Sequence, residues 1–134
     1  MKKSIVMALA CAWFATPAPA HDTHEVVTAN FEKAISNIPG KKLVAVEVNY
    51  APGAFSVPHT HAKSSFLYVY VLSGTIESQL EGEPVRTYRA GDSFYEPPGS
   101  HHLKGRNLSA TEPARLLAVF IVDADEKQLT IPDR

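Results

Sequence analysis

His59-Thr60-His61 places two imidazoles two residues apart, six and eight residues after Gly53. Further along comes Pro97-Pro98-Gly99-Ser100-His101-His102. A strand turns residues i and i+2 to the same face, so His59 and His61 can aim both rings at one point. A third histidine, arriving on another strand after a tight Pro-Gly turn, completes three adjacent corners of a coordination sphere. Such a set leaves positions open for water, oxygen or substrate, as a catalytic metal site requires.

The elements that must hold these rings read as strands. Leu43–Tyr50 alternates, with Val44, Val46, Val48 and Tyr50 against Glu47 and Asn49. Ala51-Pro52-Gly53 is a turn, and Phe55, Val57, His59 and His61 then share one parity. Phe66–Leu72 is continuously apolar and rich in β-branched and aromatic residues, as in a strand covered on both sides. Ser73-Gly74 makes a tight connection to Thr75–Glu81, where Ile76, Ser78 and Leu80 point inward. Val85–Tyr88, Ser93–Glu96, His101–Lys104 and Ala114–Val122 complete the set. Turn signals recur about every eight to twelve residues, the rhythm of an all-β sandwich or barrel.

Both ends differ from this pattern. Lys2 and Lys3 precede an apolar run, Ser4–Phe14, and then Ala15-Thr16-Pro17-Ala18-Pro19-Ala20, which reads as a signal peptide over 1–20 cleaved after Ala20. The run is too short for a permanent membrane span, and Cys11 lies too deep in it for a lipid-anchor signal. Residues 21–40 read as an N-terminal arm or a short helix, since Phe31, Ala34, Ile35 and Ile38 fall at helical spacing. Residues 41–123 form the barrel, and 124–134 a charged, peripheral tail.

Cleavage would leave 114 residues without cysteine, whose stability must come from a packed core. Without Lys2 and Lys3 there are 11 basic residues against 14 acidic, a net charge of −3. That balance gives no reason to expect nucleic acid or an anionic membrane surface as partner. A mature terminus at His21, with His24 nearby, does not form the usual copper chelate, because the second histidine is fourth rather than third.

Gly53-(five residues)-His59-x-His61, with Gly74 beyond, resembles the first motif of the cupins. Gly91-(five residues)-Pro97-x-Gly99-x-x-His102 resembles their second. The resemblance implies a double-stranded β-helix, or jelly-roll barrel, of six to eight or more strands with a metal at its wider mouth. It also implies His59, His61 and His102 as ligands.

The chain departs from the family's pattern at several points. The glutamate usual four or five residues after the second histidine is missing; Ser65 and Phe66 stand there, after Ala62, Lys63 and Ser64. The interval to Gly74 is longer than usual by about two residues, and the closing asparagine, Asn107, comes one residue late. Three neutral imidazoles leave a divalent ion its full charge and favour iron, zinc, nickel or copper over carboxylate-loving ions. Cupin-type thiol dioxygenases share this ligand count, though nothing else here points to a thiol.

Other residues compete for roles at the site. Glu96 precedes the Pro97 turn and could reach the mouth as a substitute ligand, a hydrogen-bond acceptor or a general base. Its bland alternative is an ion pair at a strand end. His101 competes with His102, but consecutive strand residues face opposite ways and the spacing from Pro97 and Gly99 selects His102. Tyr68, Tyr70 and Tyr95 read as wall residues, any of which could hydrogen-bond a substrate oxygen. Arg86, Arg89 and Arg106 read as solvated surface charges.

These readings combine into a secreted or periplasmic metal-binding cupin holding one divalent transition metal per chain. Iron is favoured; nickel, copper, zinc and manganese are alternatives. The expected activity is that of a metal-dependent oxygenase on a small organic molecule, with Glu96 as the candidate catalytic residue. The competing readings are a non-catalytic module that binds a small ligand or a metal, and a structural cupin without either. Cupins are commonly dimers, and Val26–Phe31 could pair with a neighbouring barrel's edge in a homodimer. Native mass spectrometry of exported protein is expected to show two chains, each beginning at His21. Exported material that retains Met1 contradicts the leader, and a single chain at micromolar concentration contradicts the dimer.

Overall fold

A computed structural model describes residues 25–134. The leader, His21 and His24 lie outside the described residues. Every regular element within them is a strand, ten in all, arranged in two antiparallel five-stranded sheets. The first sheet runs β1 (Val26–Ala34), β2 (Lys41–Tyr50), β9 (Ala114–Asp123), β4 (Phe66–Ser73), β7 (Ser93–Glu96). The second runs β10 (Thr130–Pro132), β3 (His59–His61), β8 (His101–Asn107), β5 (Thr75–Leu80), β6 (Arg86–Arg89). This is the all-β, double-stranded β-helix expected from the sequence.

The core lies between the sheets. Val44, Val46 and Tyr50 of β2, Leu67, Val69 and Val71 of β4, and alternate residues of β9 from Ala114 to Val122 are buried there against Ile76 of β5. Each large aliphatic or aromatic side chain removed from water in this way contributes about 1.5–3 kcal/mol. Gly74 joins the sheets, leading from β4 in the first to β5 in the second. Its φ is +80°, and a Cβ there would stand 2.6 Å from the Cβ of Ala114. Only glycine meets both conditions without strain.

Several local expectations change. The helical spacing of Phe31, Ala34, Ile35 and Ile38 does not become a helix: Val26–Ala34 is β1, paired with β2 through a bulge between Ala29 and Phe31. The β-branched run Val26-Val27-Thr28 suits a strand, and the exposed edge of β2 supplies its hydrogen bonds. Phe66–Leu72 is not covered on both sides. Leu67, Val69 and Val71 are buried, while Phe66, Tyr68, Tyr70 and Leu72 face outward. Phe55 and Val57 are also exposed, because the chain before β3 is irregular and the parity continues only from His59 to His61.

The tail is not wholly peripheral either. Its strand β10 pairs with β3, setting Thr130 against His61 and Pro132 against His59. The Asp133 backbone N–H donates to the Pro58 carbonyl at 3.0 Å, and the Ala62 N–H donates to Leu129 at 3.2 Å. The strand that carries two imidazoles is therefore held on both edges, by β10 and β8.

Candidate metal centre

Strand register brings the three histidines together. His59 lies directly opposite His102 across the β3–β8 pair, with Thr60 opposite His101. Cross-strand partners share a face, and His61 shares that face two residues on. His101 is thereby turned to the other side, where its Nε2 lies 2.8 Å from Asp133 Oδ2. One ring nitrogen from each of His59, His61 and His102 falls within 4.8 Å of the others. The ring centroids of His59 stand 4.8 Å from His61 and 5.0 Å from His102.

The backs of the rings are fixed. His59 Nδ1 lies 2.8 Å from the Val57 carbonyl and His61 Nδ1 3.3 Å from that of Leu129. A carbonyl only accepts, so each Nδ1 carries a proton, and in the neutral ring, the form that binds a metal, each Nε2 keeps the lone pair. His102 Nε2 lies 3.0 Å from the Ser78 hydroxyl, which turns its Nδ1 edge toward Glu96. These partners set the orientation of all three rings, and the two carbonyls also place the Nδ1 proton of His59 and His61, as a ligating histidine needs.

Glu96 lies beside this cluster, against His61 and His102, brought there by β7 of the opposite sheet. It is 2% exposed, with Oε2 2.9 Å from His61 Nε2 and Oε1 3.9 Å from His102 Nδ1. The close pair is within ion-pair reach but out of line for a hydrogen bond, and neither atom has another partner. With the His61 ring neutral and its proton on Nδ1, two lone pairs face each other at that distance. Two acceptors in a dry site repel unless a proton or a cation stands with them. Three imidazoles and an unpartnered carboxylate oxygen therefore suit a divalent ion, and three His could hold one.

The electrostatics agree with the donor set. Burial pushes the His102 imidazole below its ordinary range, outweighing the upward pull of Glu96. It is then neutral near pH 7, as a metal ligand must be. Burial acts to raise the Glu96 carboxyl, but positive charge on His61, His102 and His59 holds it below its usual range, a part that a bound cation would take over when the rings are neutral ligands. The carboxylate is thus ionised in a nearly water-free position.

The four side chains open on a cavity of about 160 Å³ whose walls include Val46, Val48, Leu67, Leu116 and Phe120. A larger depression of about 430 Å³, around Leu80, Arg86, Tyr88 and Phe94, contains none of the three histidines. The chemistry belongs to the smaller cavity, because the polar groups converge there.

The sequence-predicted tyrosines lie elsewhere. Tyr68, Tyr70 and Tyr95 are exposed on the outward side of their strands, Tyr95 at 62%. The tyrosine that reaches the cavity is Tyr50, whose hydroxyl sits 2.6 Å from that of Ser56. Burial pushes its phenol far above the ordinary range, so it stays a neutral hydrogen-bonding group. Its place at the end of the inward parity of β2 was the available signal. Arg106 pairs with Glu77 at the surface, and Arg86 and Arg89 are exposed, as read from the sequence.

Comparison with known proteins agrees with this architecture. The cupin-domain family model matches residues 46–120. The chain is 33% identical over 102 residues to germin-like protein subfamily 2 member 2 of Arabidopsis thaliana, an alignment covering 71% of this chain and 43% of that protein. The chain thus spans less than half the length of that relative. A double-stranded β-helix protein from Klebsiella pneumoniae superposes with a TM-score of 0.63 at 18% identity, covering 89% of this chain and 90% of that one. An oxalate oxidase superposes with a TM-score of 0.57 at 24% identity, covering 78% and 57%. At these identities the structural likeness concerns the fold alone.

Gly105 is a further determinant of the site. A Cβ on it would meet His102 Cε1 and Ser56 Oγ at 3.1 Å and the Tyr50 hydroxyl at 3.3 Å. Gly105→Ala is expected to keep the sheets, cost about 1–3 kcal/mol by overpacking, and shift the imidazole NMR resonances of His102. Unchanged His102 resonances contradict this packing.

Proposed function

The chain belongs to the cupin family, and on that premise we propose a secreted metal-binding cupin acting as a metal-dependent oxygenase on a small organic molecule. The observation that carries this reading is the convergence of His59, His61 and His102 in one small cavity, their ligating nitrogens within 4.8 Å of one another. One divalent transition metal per chain is the cofactor, iron first, with nickel, copper, zinc or manganese as alternatives. When bound, such an ion supplies Lewis acidity and a point of attachment for oxygen or a substrate oxygen.

The residues of the chain do the rest. Val57, Leu129 and Ser78 hold the backs of the three rings. Val46, Val48, Leu116 and Phe120 make an apolar wall that limits water at the site. The cavity of about 160 Å³ matches the space of a few waters at about 30 Å³ each, which points to a small substrate. Tyr50 and Ser56 place hydroxyls where they can orient a substrate oxygen. Glu96 belongs to the same working set, since its carboxylate sits against the imidazoles of His61 and His102.

Two further parts of the reading rest on other residues. Export to the periplasm or beyond is supported by the leader ending at Ala18-Pro19-Ala20. A homodimer is supported by the outer edge of β1, which pairs with no other strand among the described residues, and by the aromatic outward face formed by Phe66, Tyr68, Tyr70 and Tyr95. Neither nucleic acid nor a membrane figures among the proposed partners.

After reconstitution with iron(II), His59→Ala, His61→Ala and His102→Ala are each expected to lower metal affinity by more than the about 10–100-fold lost with an outer partner. His101→Ala is expected to keep it. Oxygen uptake by the iron-loaded protein on a panel of small organic acids, alcohols and thiols supports the oxygenase. Ligand binding without uptake supports a binding module instead, and wild-type protein that takes up none of the five metals removes the metal reading.

A further inference from the structure

We infer that Glu96 is the fourth protein ligand, supplying from β7 the carboxylate that the first motif lacks. The inference rests on the three-histidine metal reading and deepens it. It also changes the chemistry expected of the site, from a neutral set of imidazoles to one carrying a single negative charge.

The strand geometry explains why the carboxylate is where it is. After His61 the chain passes through a turn, in which the Ser65 N–H donates to the Ala62 carbonyl, before β4 begins. Phe66 then points outward, and Leu67 is the first residue of β4 to face the cavity. None of the residues from Ala62 to Leu67 is acidic. In the β4–β7 pair, however, Leu67 lies directly opposite Glu96, and both line the cavity. Side chains opposite each other in an antiparallel pair share a face, with Cβ atoms about 4.5–5.5 Å apart. Glu96 thus presents a carboxylate at the level of Leu67, one strand across from the segment that follows the first motif.

The contacts of Glu96 favour ligation over the two other roles open to it. As a plain hydrogen-bond partner it would orient His61, but that ring is already oriented through Nδ1 by Leu129, and the Nε2···Oε2 approach of 2.9 Å is out of line. As a general base it would present a free edge to the cavity, yet it is 2% exposed and turned toward two imidazoles. Both of its oxygens face nitrogen atoms on the inner edges of the rings. A cation shared by those edges satisfies Oε2 and His61 Nε2 at once.

A carboxylate among imidazoles widens the range of metals toward the harder ions. Oxygen ligands suit manganese(II), whereas imidazole alone suits nickel, zinc and copper. Manganese(II) affinity should therefore depend on Glu96 more steeply than nickel(II) affinity does.

The test uses the full mature chain, stripped of metal and titrated calorimetrically with manganese(II) and, separately, nickel(II). Glu96→Gln keeps the shape and polarity of the side chain but removes its charge. We expect it to lower manganese(II) affinity by more than about 100-fold and nickel(II) affinity by about tenfold, against the about 10–100-fold cost of losing an outer partner. The exchange Leu67→Glu with Glu96→Leu returns the carboxylate to the opposite strand and should regain most of the manganese(II) affinity. Should the exchange variant fail to fold, Glu96→Gln alone decides. Manganese(II) affinity within threefold of wild type in Glu96→Gln overturns the inference and leaves the three histidines standing, as does an equal loss of both metals. A wild-type protein that binds neither metal overturns the three-histidine reading itself, and this inference with it.

Discussion

The register of one short strand pair governs everything else in this molecule. His59 faces His102 across β3 and β8, and the pleat returns His61 to the same side. A slip of one residue would send all three rings outward and bring Thr60 and His101 in. β3 is only three residues long, so its own hydrogen bonds cannot secure that register. Its neighbours do so. β10 clamps the outer edge, the His61 N–H donates to Ser100 within the Pro97–Ser100 turn, and the Ala62 N–H donates to Leu129. The tail is thus part of the site's scaffold.

The second constraint is the burial of charge. An ionised carboxylate with almost no contact with water costs several kcal/mol unless compensated. The hydrogen bonds that would normally compensate Glu96 are absent at Oε2. Tyr50 is satisfied by Ser56 and Asn107 by the carbonyls of Ala51 and Glu112, while the hydroxyls of Ser65 and Ser100, which are neutral, lack a partner as Glu96 Oε2 does. A charged oxygen left without a partner beside the imidazoles of His61 and His102 is what the proposed cation would satisfy. Gly105 and Ser78 serve the same end from behind, one by leaving room for the His102 ring and the other by holding its far edge.

How much of this could be read from the sequence depended on whether the information was local. The pair His59/His61 and the Pro97–His102 turn are local patterns, and they gave the fold and the choice of His102 over His101. The alternation of β2, β5 and β9 was equally legible. Phe66–Leu72 misled because an apolar run looks the same whether its second face is buried in the chain or left open on the surface. Phe31 to Ile38 misled because weak helical spacing lost to the open edge of β2. Tyr50 was overlooked and Tyr68, Tyr70 and Tyr95 considered because the phase of each strand relative to the cavity is a tertiary property. The position of Glu96 depended on the pairing of β4 with β7, which no spacing within either segment records.

The most direct measurement is an anomalous difference map from crystals of the manganese(II)-loaded protein, collected above and below the manganese edge. The account predicts one peak per chain, bonded to ring nitrogens of His59, His61 and His102 and to a carboxylate oxygen of Glu96. A peak elsewhere, or no peak from protein shown to be loaded in solution, would contradict the site. A peak on the three imidazoles with Glu96 turned away would contradict the fourth ligand.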